Sequence, residues 1–321
     1  MSIIQVKDLV KTYNSTQAVN GVSFDVVEGE IFGFLGPNGA GKTTTINILC
    51  TLLSPTSGIA MVAGFDSMKQ PGKVRAEIGL VFQELTLDNE LTAYENLKFH
   101  CYMYNMERRL SEDRIEELLD LVGLTDRASD RVKTFSSGMK RRLEIVRGLL
   151  HRPRVLFLDE PTIGLDPQTR SHVWAFIKKL KESEGNTVFM TTHYMDEAEI
   201  CDRIAIIDHG KIIALEKPEE LKRSLKGDTL YVSTEDDERA AIEIAERFKL
   251  EAKKTGKGLS LLVEGGESFI PELFRGLTVP INSINLKRPS LDDVFINLTG
   301  REIRGEDAPQ RSKPGSSNRR R

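Results

Sequence analysis

The sequence predicts an α/β fold built on a parallel sheet, with a helical insert and a second, smaller α+β domain. Short apolar runs alternate with helical patterns over much of the chain, which is typical of a parallel sheet. A glycine-rich loop stands directly between an apolar run at residues 31–35 and a helical pattern at residues 43–53. This order of strand, loop and helix is the strongest local signal in the sequence.

Residue periodicity and turn signals place the remaining elements in chain order. Strands are expected at residues 3–9, 22–27, 31–35, 79–82, 155–158, 187–191 and 204–208. The run at 155–158 is continuously apolar, as expected for a parallel strand buried on both faces. Helices are expected at residues 43–53, 92–104, 112–122 and 168–183.

The pattern changes to shorter units beyond Pro218, where a β-α-β-α-β order over about 75 residues predicts a small separate domain. We therefore expect a first domain at residues 1–220, with a helical subdomain at about 85–150, and an accessory domain at 221–300. Residues 301–321 carry 7 basic and 3 acidic residues and are rich in Pro, Ser and Gly, which predicts a disordered basic tail.

Composition excludes several classes of protein. The chain has 321 residues, 39% of them apolar, and 45 basic against 48 acidic side chains, so no overall basic field indicates a stable nucleic-acid partner. Three isolated cysteines have neither zinc-site nor disulfide spacing. The first ten residues do not form the apolar core of a signal peptide, and the charge-free stretch at 43–65 is too polar to span a bilayer. We expect a protein that stays inside the cell.

The glycine-rich loop has the GxxxxGK[ST] spacing of a phosphate-binding loop. Its backbone amides and the following helix N-terminus suit an anion, so the sequence predicts a nucleotide site. Lys42 is expected to reach the β- and γ-phosphates of ATP, and the Thr43 hydroxyl to bind Mg²⁺. The predicted cofactor-binding residues here are Gly36, Pro37, Asn38, Gly39, Ala40, Gly41, Lys42, Thr43 and Thr44.

An acid pair supplies the second half of the predicted site. Asp159 ends the apolar run at 155–158, where it can hold a metal ion, and Glu160 follows it. We expect Glu160 to point elsewhere and to polarise the attacking water as general base. The alternative is a surface acid pair that caps a helix.

With these motifs in this order, residues 1 to about 215 resemble the nucleotide-binding subunit of an ABC transporter. Asp159 to Thr162 resembles the family's Walker B end, and the segment from Gly164 to Pro167, with Asp166, resembles its D-loop. The resemblance implies that Gln83 senses Mg²⁺ and water, that His193 contacts the γ-phosphate, and that Tyr13 stacks on adenine. Taken alone, Gln83 and Tyr13 are more simply read as structural residues, and His193 is read equally well as a buried histidine.

The segment from Phe135 to Met139 resembles the family's signature loop, which is usually LSGGQ. The resemblance implies that Ser136, Ser137 and Gly138 bind the γ-phosphate held by a second subunit, in a head-to-tail dimer with two ATP molecules. The partner is a second copy of this chain or a homologous ATPase subunit. Phe135, Ser137 and Met139 depart from the usual residues. We expect Ser137 to weaken this contact because it adds a side chain where the backbone approaches phosphate.

Two surface features have both a functional and a structural interpretation. A basic stretch at residues 140–154 indicates contact with nucleotide, membrane or permease, or else a solvated helix face. The aromatic run at residues 99–104 indicates either a docking site for a permease or packing within the helical insert.

Residues 285–299 resemble the C-terminal end of the ATPase subunits of drug-resistance-type ABC exporters. The two resemblances together imply an ATPase that drives a separate multi-span permease, most simply an exporter, from the cytoplasmic face of the membrane. A soluble ABC protein that acts on ribosomes or nucleic acid is the alternative, and a regulatory subunit with little turnover is a third. The presence of a single cassette disfavours the protein that acts on ribosomes or nucleic acid, and Glu160 disfavours the regulatory subunit.

Overall fold

A computed structural model describes residues 1–225, 227–255 and 258–300. The predicted basic tail at 301–321 lies outside these residues. The first part of the chain forms β1 (Ser2–Tyr13), β2 (Thr16–Val27), β3 (Ile31–Leu35), α1 (Lys42–Leu49), β4 (Ser57–Val62), β5 (Phe65–Asp66), α2 (Pro71–Glu77) and β6 (Ile78–Val81). The helical region contains α3 (Ala93–Met103), α4 (Arg108–Leu121), two short 3₁₀ turns (Thr125–Arg127 and Val132–Thr134) and α5 (Ser137–Arg147).

The chain then returns to alternating strands and helices. These are β7 (Val155–Asp159), α6 (Pro167–Glu184), β8 (Thr187–Thr192), α7 (Met195–Ala198), β9 (Arg203–Asp208), β10 (Lys211–Glu216) and α8 (Pro218–Ser224). The C-terminal part forms β11 (Asp228–Thr234), α9 (Asp237–Phe248), β12 (Lys253–Thr255), β13 (Gly258–Val263), α10 (Gly266–Gly276), β14 (Ile281–Lys287) and α11 (Leu291–Thr299).

A six-stranded sheet in the order β10-β9-β3-β8-β7-β6 lies at the centre of the described part of the first domain. Strands β9, β3, β8, β7 and β6 run parallel, and β10 pairs antiparallel at one edge. A separate antiparallel sheet in the order β2-β1-β4-β5 covers one side. The α/β fold predicted from alternating strands and helices is confirmed.

Alternate residues of the central strands enter two different cores, because successive side chains of a strand point to opposite faces. On one face the strands pack with the helical region through Ile31, Leu35, Leu156, Leu158, Val188, Met190, Ile204 and Ile206. On the other they pack with the antiparallel sheet and α1 through Phe32, Phe34, Val155, Phe157, Phe189, Ala205 and Ile207. Burial on both faces explains why these strands read as continuous apolar runs.

Phe189 occupies the centre of an aromatic cluster between the two sheets. Its ring centroid lies 5.4 Å from Phe157, 5.6 Å from Phe32, 5.7 Å from Phe34 and 6.0 Å from Phe24. These separations are within the range in which aromatic pairs attract one another beyond simple burial.

The C-terminal part has its own sheet and core. Strands β12-β13-β11-β14 pair antiparallel throughout, and α9 and α10 pack on the sheet around Leu230, Leu259, Leu261 and Leu273. The last helix returns to the first core, where Leu291, Val294 and Phe295 are buried. Ser290 and Asp293 form a capping box that starts this helix.

Several predicted elements differ from the structure in length. The helix expected at 43–53 ends at Leu49, because Thr51 takes a left-handed φ of 64° and the amides of Leu52 and Leu53 bond back to the Asn47 carbonyl. Strands β4, β5, β10 and β12 were not among those expected, and the three exposed residues of β12 carry no apolar signal. The domain limits at residues 220 and 300 and the subdomain limits near 85–150 stay predictions. No helix in the described residues is both long and apolar enough to cross a membrane.

Replacing Phe189 by alanine is expected to lower the free energy of unfolding by about 3–5 kcal/mol, because it opens a cavity at the centre of the aromatic cluster. Urea denaturation measures this loss. Phe99→Ala is the matched control, since that ring is 61% exposed, and it should change stability by only about 0.5 kcal/mol. Similar losses in both variants would contradict the central role of the cluster.

Candidate active site

Four parallel strands bring the predicted site residues to one edge of the central sheet. The phosphate-binding loop follows β3, His193 follows β8, Asp159 and Glu160 lie at the end of β7, and Gln83 follows β6. Ligands of open α/β sheets bind at this carboxyl edge. A cleft of about 420 Å³ lies here, lined by Ala18, Asn38, Gly39, Gly41, Lys42, Thr43, Thr44, Gln83, Glu160 and Ile163.

The phosphate-binding loop needs glycine where the backbone passes close to its neighbours. A Cβ on Gly36 would lie 2.3 Å from the Ile207 carbonyl oxygen, and one on Gly41 would lie 2.4 Å from that of Ala18. Gly41 also has a φ of 107°, which side chains rarely adopt. The Ala40 amide donates to the Pro37 carbonyl (3.2 Å) and closes the turn. The loop therefore delivers the first amides of α1 to the cleft.

Lys42 is buried, with 4% of its surface exposed, and its charge is met entirely at short range. Its ammonium donates to the carbonyl oxygens of Gly36 (2.9 Å) and Pro37 (3.2 Å) and lies 3.1 Å from Glu160 Oε1. A buried ammonium without such partners would be strongly destabilising.

Asp159 lies against the start of α1. Its Oδ1 accepts a hydrogen bond from the Thr191 hydroxyl and lies 3.5 Å from the Thr43 hydroxyl oxygen. Burial raises the pKa of Asp159, and the neighbouring charge of Glu160 acts in the same direction. A carboxylate beside a threonine hydroxyl at the phosphate loop is a suitable ligand set for Mg²⁺.

No group of three or more His, Cys, Asp or Glu side chains capable of holding a metal occurs in the described residues. A magnesium ion here would therefore depend on Thr43, Asp159 and oxygen atoms of a phosphate ligand. Gln83 lines the same cleft and adds an amide group to it.

Glu160 adopts a left-handed backbone conformation with a φ of 44°. Its amide donates to the carbonyl (3.2 Å) and the hydroxyl (3.0 Å) of Thr191, which holds this turn. Its side chain faces the cleft between Lys42 and His193, whose Nδ1 lies 3.2 Å from Oε2. Burial would raise the pKa of Glu160, but His193 and the charge of Lys42 outweigh it and hold the pKa below its usual value.

Glu160 therefore faces Lys42 and His193, whereas Asp159 faces Thr43 and Thr191, so the two acids point in different directions as expected. The positive φ is the reason, because it turns the chain sharply at the strand end. Strain of this kind costs about 1–3 kcal/mol and is concentrated at functional sites.

The signature-loop residues lie outside this cleft. Ser136 caps α5 by accepting from the Met139 amide (3.3 Å), and Asp166 caps α6 by accepting from the Thr169 amide (3.0 Å). The two helix starts meet where a Cβ on Gly138 would lie 2.6 Å from Thr169 Cγ2. The structure thus groups Ser136, Ser137, Gly138 and Asp166 together, and none of them is among the described residues that line the cleft.

Tyr13 is also not among the described residues that line the cleft. Its ring is 44% exposed at the end of β1, with the Lys11 ammonium 5.1 Å from the ring centroid. Sequence reasoning missed three other residues, namely Ala18 and Ile163, which line the cleft, and Thr191, which holds the acid pair. Only Thr191 carried a signal, as a hydroxyl at the end of an apolar run.

The basic stretch at residues 140–154 is solvated only in part, with Arg152 and Arg154 exposed beyond the end of α5. Arg141 is buried, with 3% of its surface exposed, and the Arg142 guanidinium donates to the Val122 carbonyl. Arg154 pairs with Glu28 at 2.6 Å. Both interpretations drawn from sequence fail here for Arg141, because its charge is directed into the protein.

Comparison of the chain with known protein families and with individual proteins agrees with the geometry of this site. Residues 19–163 match the family described as ABC transporter, and residues 217–299 match the C-terminal domain of ATP-binding proteins described as DrrA1-3-like. The chain is 40% identical to the linearmycin resistance ATP-binding protein LnrL of Bacillus subtilis (strain 168), over 94% of this chain and 100% of that protein. It is also 40% identical to the daunorubicin/doxorubicin resistance ATP-binding protein DrrA of Streptomyces peucetius, over 92% of each.

Solved structures are similar over the first domain. One is the dimeric structure of a post-hydrolysis state of the ATP-binding cassette MJ0796 bound to ADP and Pi, with 30% identity and a TM-score of 0.60 over 67% of this chain and 98% of that one. Another is cbiO1 from Clostridium perfringens, part of the ABC transporter complex cbiONQ, with 26% identity and a TM-score of 0.65 over 77% and 96%.

Changes at the start of α5 should have opposite effects on ATP turnover. Ser137→Gly is expected to raise it a few-fold, because the exposed side chain no longer limits approach to a phosphate. Gly138→Ala is expected to lower it, because the added Cβ meets Thr169. Steady-state phosphate release measures both.

Adding Thr169→Ser to Gly138→Ala removes the methyl group that the new Cβ meets, and should restore part of the turnover. A fall to background in Ser137→Gly would show instead that the serine is required.

Proposed function

The chain belongs to the ABC transporter ATP-binding proteins and is an ATP-hydrolysing subunit of such a transporter, and from this premise we propose that it works as a dimer that drives export through a separate permease. The observation that carries the proposal is the buried group of Lys42, Glu160 and His193 at the mouth of the phosphate-binding loop. A lysine, a carboxylate and an imidazole at one phosphate site supply charge stabilisation, a base and a contact for the terminal phosphate.

We infer that ATP binds by replacing one of the partners of Lys42. Its ammonium is already held by two loop carbonyls and by Glu160, so the β- and γ-phosphates compete for it with the carboxylate. Phosphate carries more charge than one carboxylate, and it also takes the amides at the start of α1. Binding therefore releases Glu160 from Lys42 and leaves it beside His193.

The released Glu160 is the general base that accepts a proton from the attacking water. Before ATP arrives, His193 and Lys42 hold the pKa of Glu160 below its usual value, so it is already ionised, and His193 remains beside it when it accepts that proton. Gln83, which lines the same cleft, orients the water, and His193 contacts the γ-phosphate. Thr43 and Asp159 would hold Mg²⁺, which, when bound, neutralises charge on the β- and γ-phosphates.

A dimer follows from the separation of the two groups of site residues. Ser136, Ser137 and Gly138 lie at the start of α5, outside the cleft of their own chain, yet a helix N-terminus capped by serine suits an anion. A head-to-tail second copy, or a homologous subunit, brings this surface to the open side of the cleft. Asp166 then lies at the same interface. Tyr13, at the end of β1, is assigned to adenine stacking.

The export role rests on the relatives and on an exposed apolar surface. Both relatives described above are named for resistance to an antibiotic or a drug. In the helical region, Phe99, Tyr102 and Met103 are each more than 60% exposed on α3. Phe99 and Met103 also border a cleft shared with Thr86, which lies three residues after Gln83 in the chain. We assign this surface to the permease, which places the protein at the cytoplasmic face of the membrane.

Glu160→Gln should abolish turnover and trap the dimer. Loss of a general base costs about 10²–10⁴-fold in rate, while the amide retains the size of the side chain and leaves ATP binding in place. Size-exclusion chromatography with light scattering, with and without Mg-ATP, measures the dimer.

Two variants serve as controls for this measurement. Glu182→Gln changes an exposed carboxylate of α6 and should behave as the wild type. Lys42→Ala should stay monomeric because it loses its phosphate contact. A Glu160→Gln protein that remains monomeric with ATP would count against the mechanism.

Purification from native membranes should bring a multi-span permease along with the chain. Replacing both Phe99 and Met103 by serine is expected to reduce its recovery about tenfold and leave ATP turnover of the isolated chain unchanged, because the surface is apolar and exposed. Quantitative mass spectrometry of the purified complex measures this. Cofractionation with ribosomes instead of a permease would favour the soluble alternative.

A further inference from the structure

The side chains of α5 beyond its first turn contact two segments that carry site residues. Arg141, Glu144 and Arg147 are spaced three residues apart, so they lie on one side of the helix. Their partners are the two ends of the loop at residues 82–86, which contains Gln83, and the turn at residues 159–161, which contains Glu160. None of these three side chains is used in the function proposed above.

Arg141 joins the two segments directly. Its Nη1 donates to the Phe82 carbonyl at 2.7 Å, and its Nε donates to the Pro161 carbonyl. Its Nη2 lies 3.4 Å from the Glu160 carbonyl oxygen and 3.5 Å from that of Asp159. One planar guanidinium thus spans the residue before Gln83 and the backbone on both sides of Glu160, which a lysine could not do.

Glu144 and Arg147 hold the other end of the loop. The buried Glu144 carboxylate accepts from the Thr86 amide (3.2 Å) and the Thr86 hydroxyl (2.6 Å). Arg147 donates to the Thr86 carbonyl at 3.1 Å and pairs with Glu144 at 2.7 Å. Every backbone polar group of Thr86 is therefore bonded to α5.

Placing Arg141 in the interior carries a desolvation penalty that an apolar side chain would avoid. Burial lowers the pKa of Arg141 to about 10, so it stays charged at neutral pH. A charged group at this position is useful if the carbonyls it holds must keep a fixed geometry. The Glu160 turn fits this need, because its left-handed backbone is held by Thr191 on the amide side and by Arg141 on the carbonyl side.

We propose that Arg141, Glu144 and Arg147 are positioning residues that fix the loop at 82–86 and the turn at 159–161 on α5, so that Gln83 and Glu160 are set for hydrolysis by the helix whose first residues form the signature loop. This inference rests on the proposed roles of Gln83 and Glu160. A displacement of α5 at its N-terminus is transmitted to both residues in the same chain. The group acts on turnover and not on nucleotide affinity, since none of its contacts involves the phosphate-binding loop.

Arg141→Met and Thr86→Val test the two ends of this group in the full-length chain. Thr86→Val keeps the shape of the side chain and removes only the hydroxyl bonds to α5, so it protects the test against misfolding of the buried arginine variant. The controls are Arg142→Met, since Arg142 bonds within the helical region, and Ser111→Ala, since the Ser111 hydroxyl of α4 donates to the carbonyl of Glu107, the residue just before that helix.

We expect kcat for Mg-ATP to fall about 10-fold in Thr86→Val and up to about 100-fold in Arg141→Met, because small misplacements of catalytic groups have effects of this size. KM and the affinity for a trinitrophenyl ATP analogue should stay within twofold, and both controls should match the wild type. The double variant should be no slower than Arg141→Met alone, because both changes release the same loop.

Three results would overturn the proposal. In the first, Thr86→Val retains full kcat and only Arg141→Met loses activity, together with its thermal midpoint. In the second, KM and analogue affinity change as much as kcat, and in the third the two losses multiply in the double variant. A wild-type protein without ATP turnover would instead contradict the proposed function.

Discussion

Burial of the central parallel strands on both faces is the constraint on which the rest of the structure depends. The register that sends Leu156 and Leu158 to one core sends Phe157 to the other, so a slip of one residue would reverse every contact. Because β3, β8, β7 and β6 run in the same direction, fixing their register also fixes where each one ends. The phosphate-binding loop, His193, the acid pair and Gln83 converge for that reason and not through any attraction among themselves.

Buried charge is the second feature of the site, and it is balanced locally. Lys42, Asp159, Glu160 and His193 are all buried, and each has a charged or hydrogen-bonding neighbour within the site. A charge left unpaired at this depth would cost several kcal/mol. These charged groups thus lie close together before any phosphate binds. The charged partner of Lys42 is the single carboxylate of Glu160, which binds the ammonium more weakly than the phosphates of a nucleotide would. The strained backbone of Glu160 persists because Thr191 and Arg141 bond both sides of it.

Helix α5 connects this site to the helical region. Its first residues, from Ser136 to Gly138, are not among the described residues that line the cleft, and Gly138 lies against Thr169 of α6. Its later side chains hold the segments that carry Gln83 and Glu160. One rigid helix therefore contacts the surface assigned to a second subunit and the catalytic segments of its own chain. The C-terminal helix α11 packs into the same large core, so the accessory part is joined to the ATPase part by buried Phe295.

The sequence by itself determined the fold class and most of the site, because those signals are local. Glycine spacing, an apolar strand ending in two acids and residues at strand ends are legible along the chain, and Lys42, Thr43, Gln83, Asp159, Glu160 and His193 lie at one edge of the sheet as expected. The tertiary structure alone decided that Glu160 lies between Lys42 and His193, since these residues come from separate segments and the turn at Glu160 depends on one backbone angle. It also decided that Arg141 is buried, because its partners are backbone carbonyls from distant segments, and carbonyls leave no trace in a sequence. The tertiary structure likewise decided that Ala18 lines the cleft, because its position is set by pairing between β1 and β2 and by contact with Gly41.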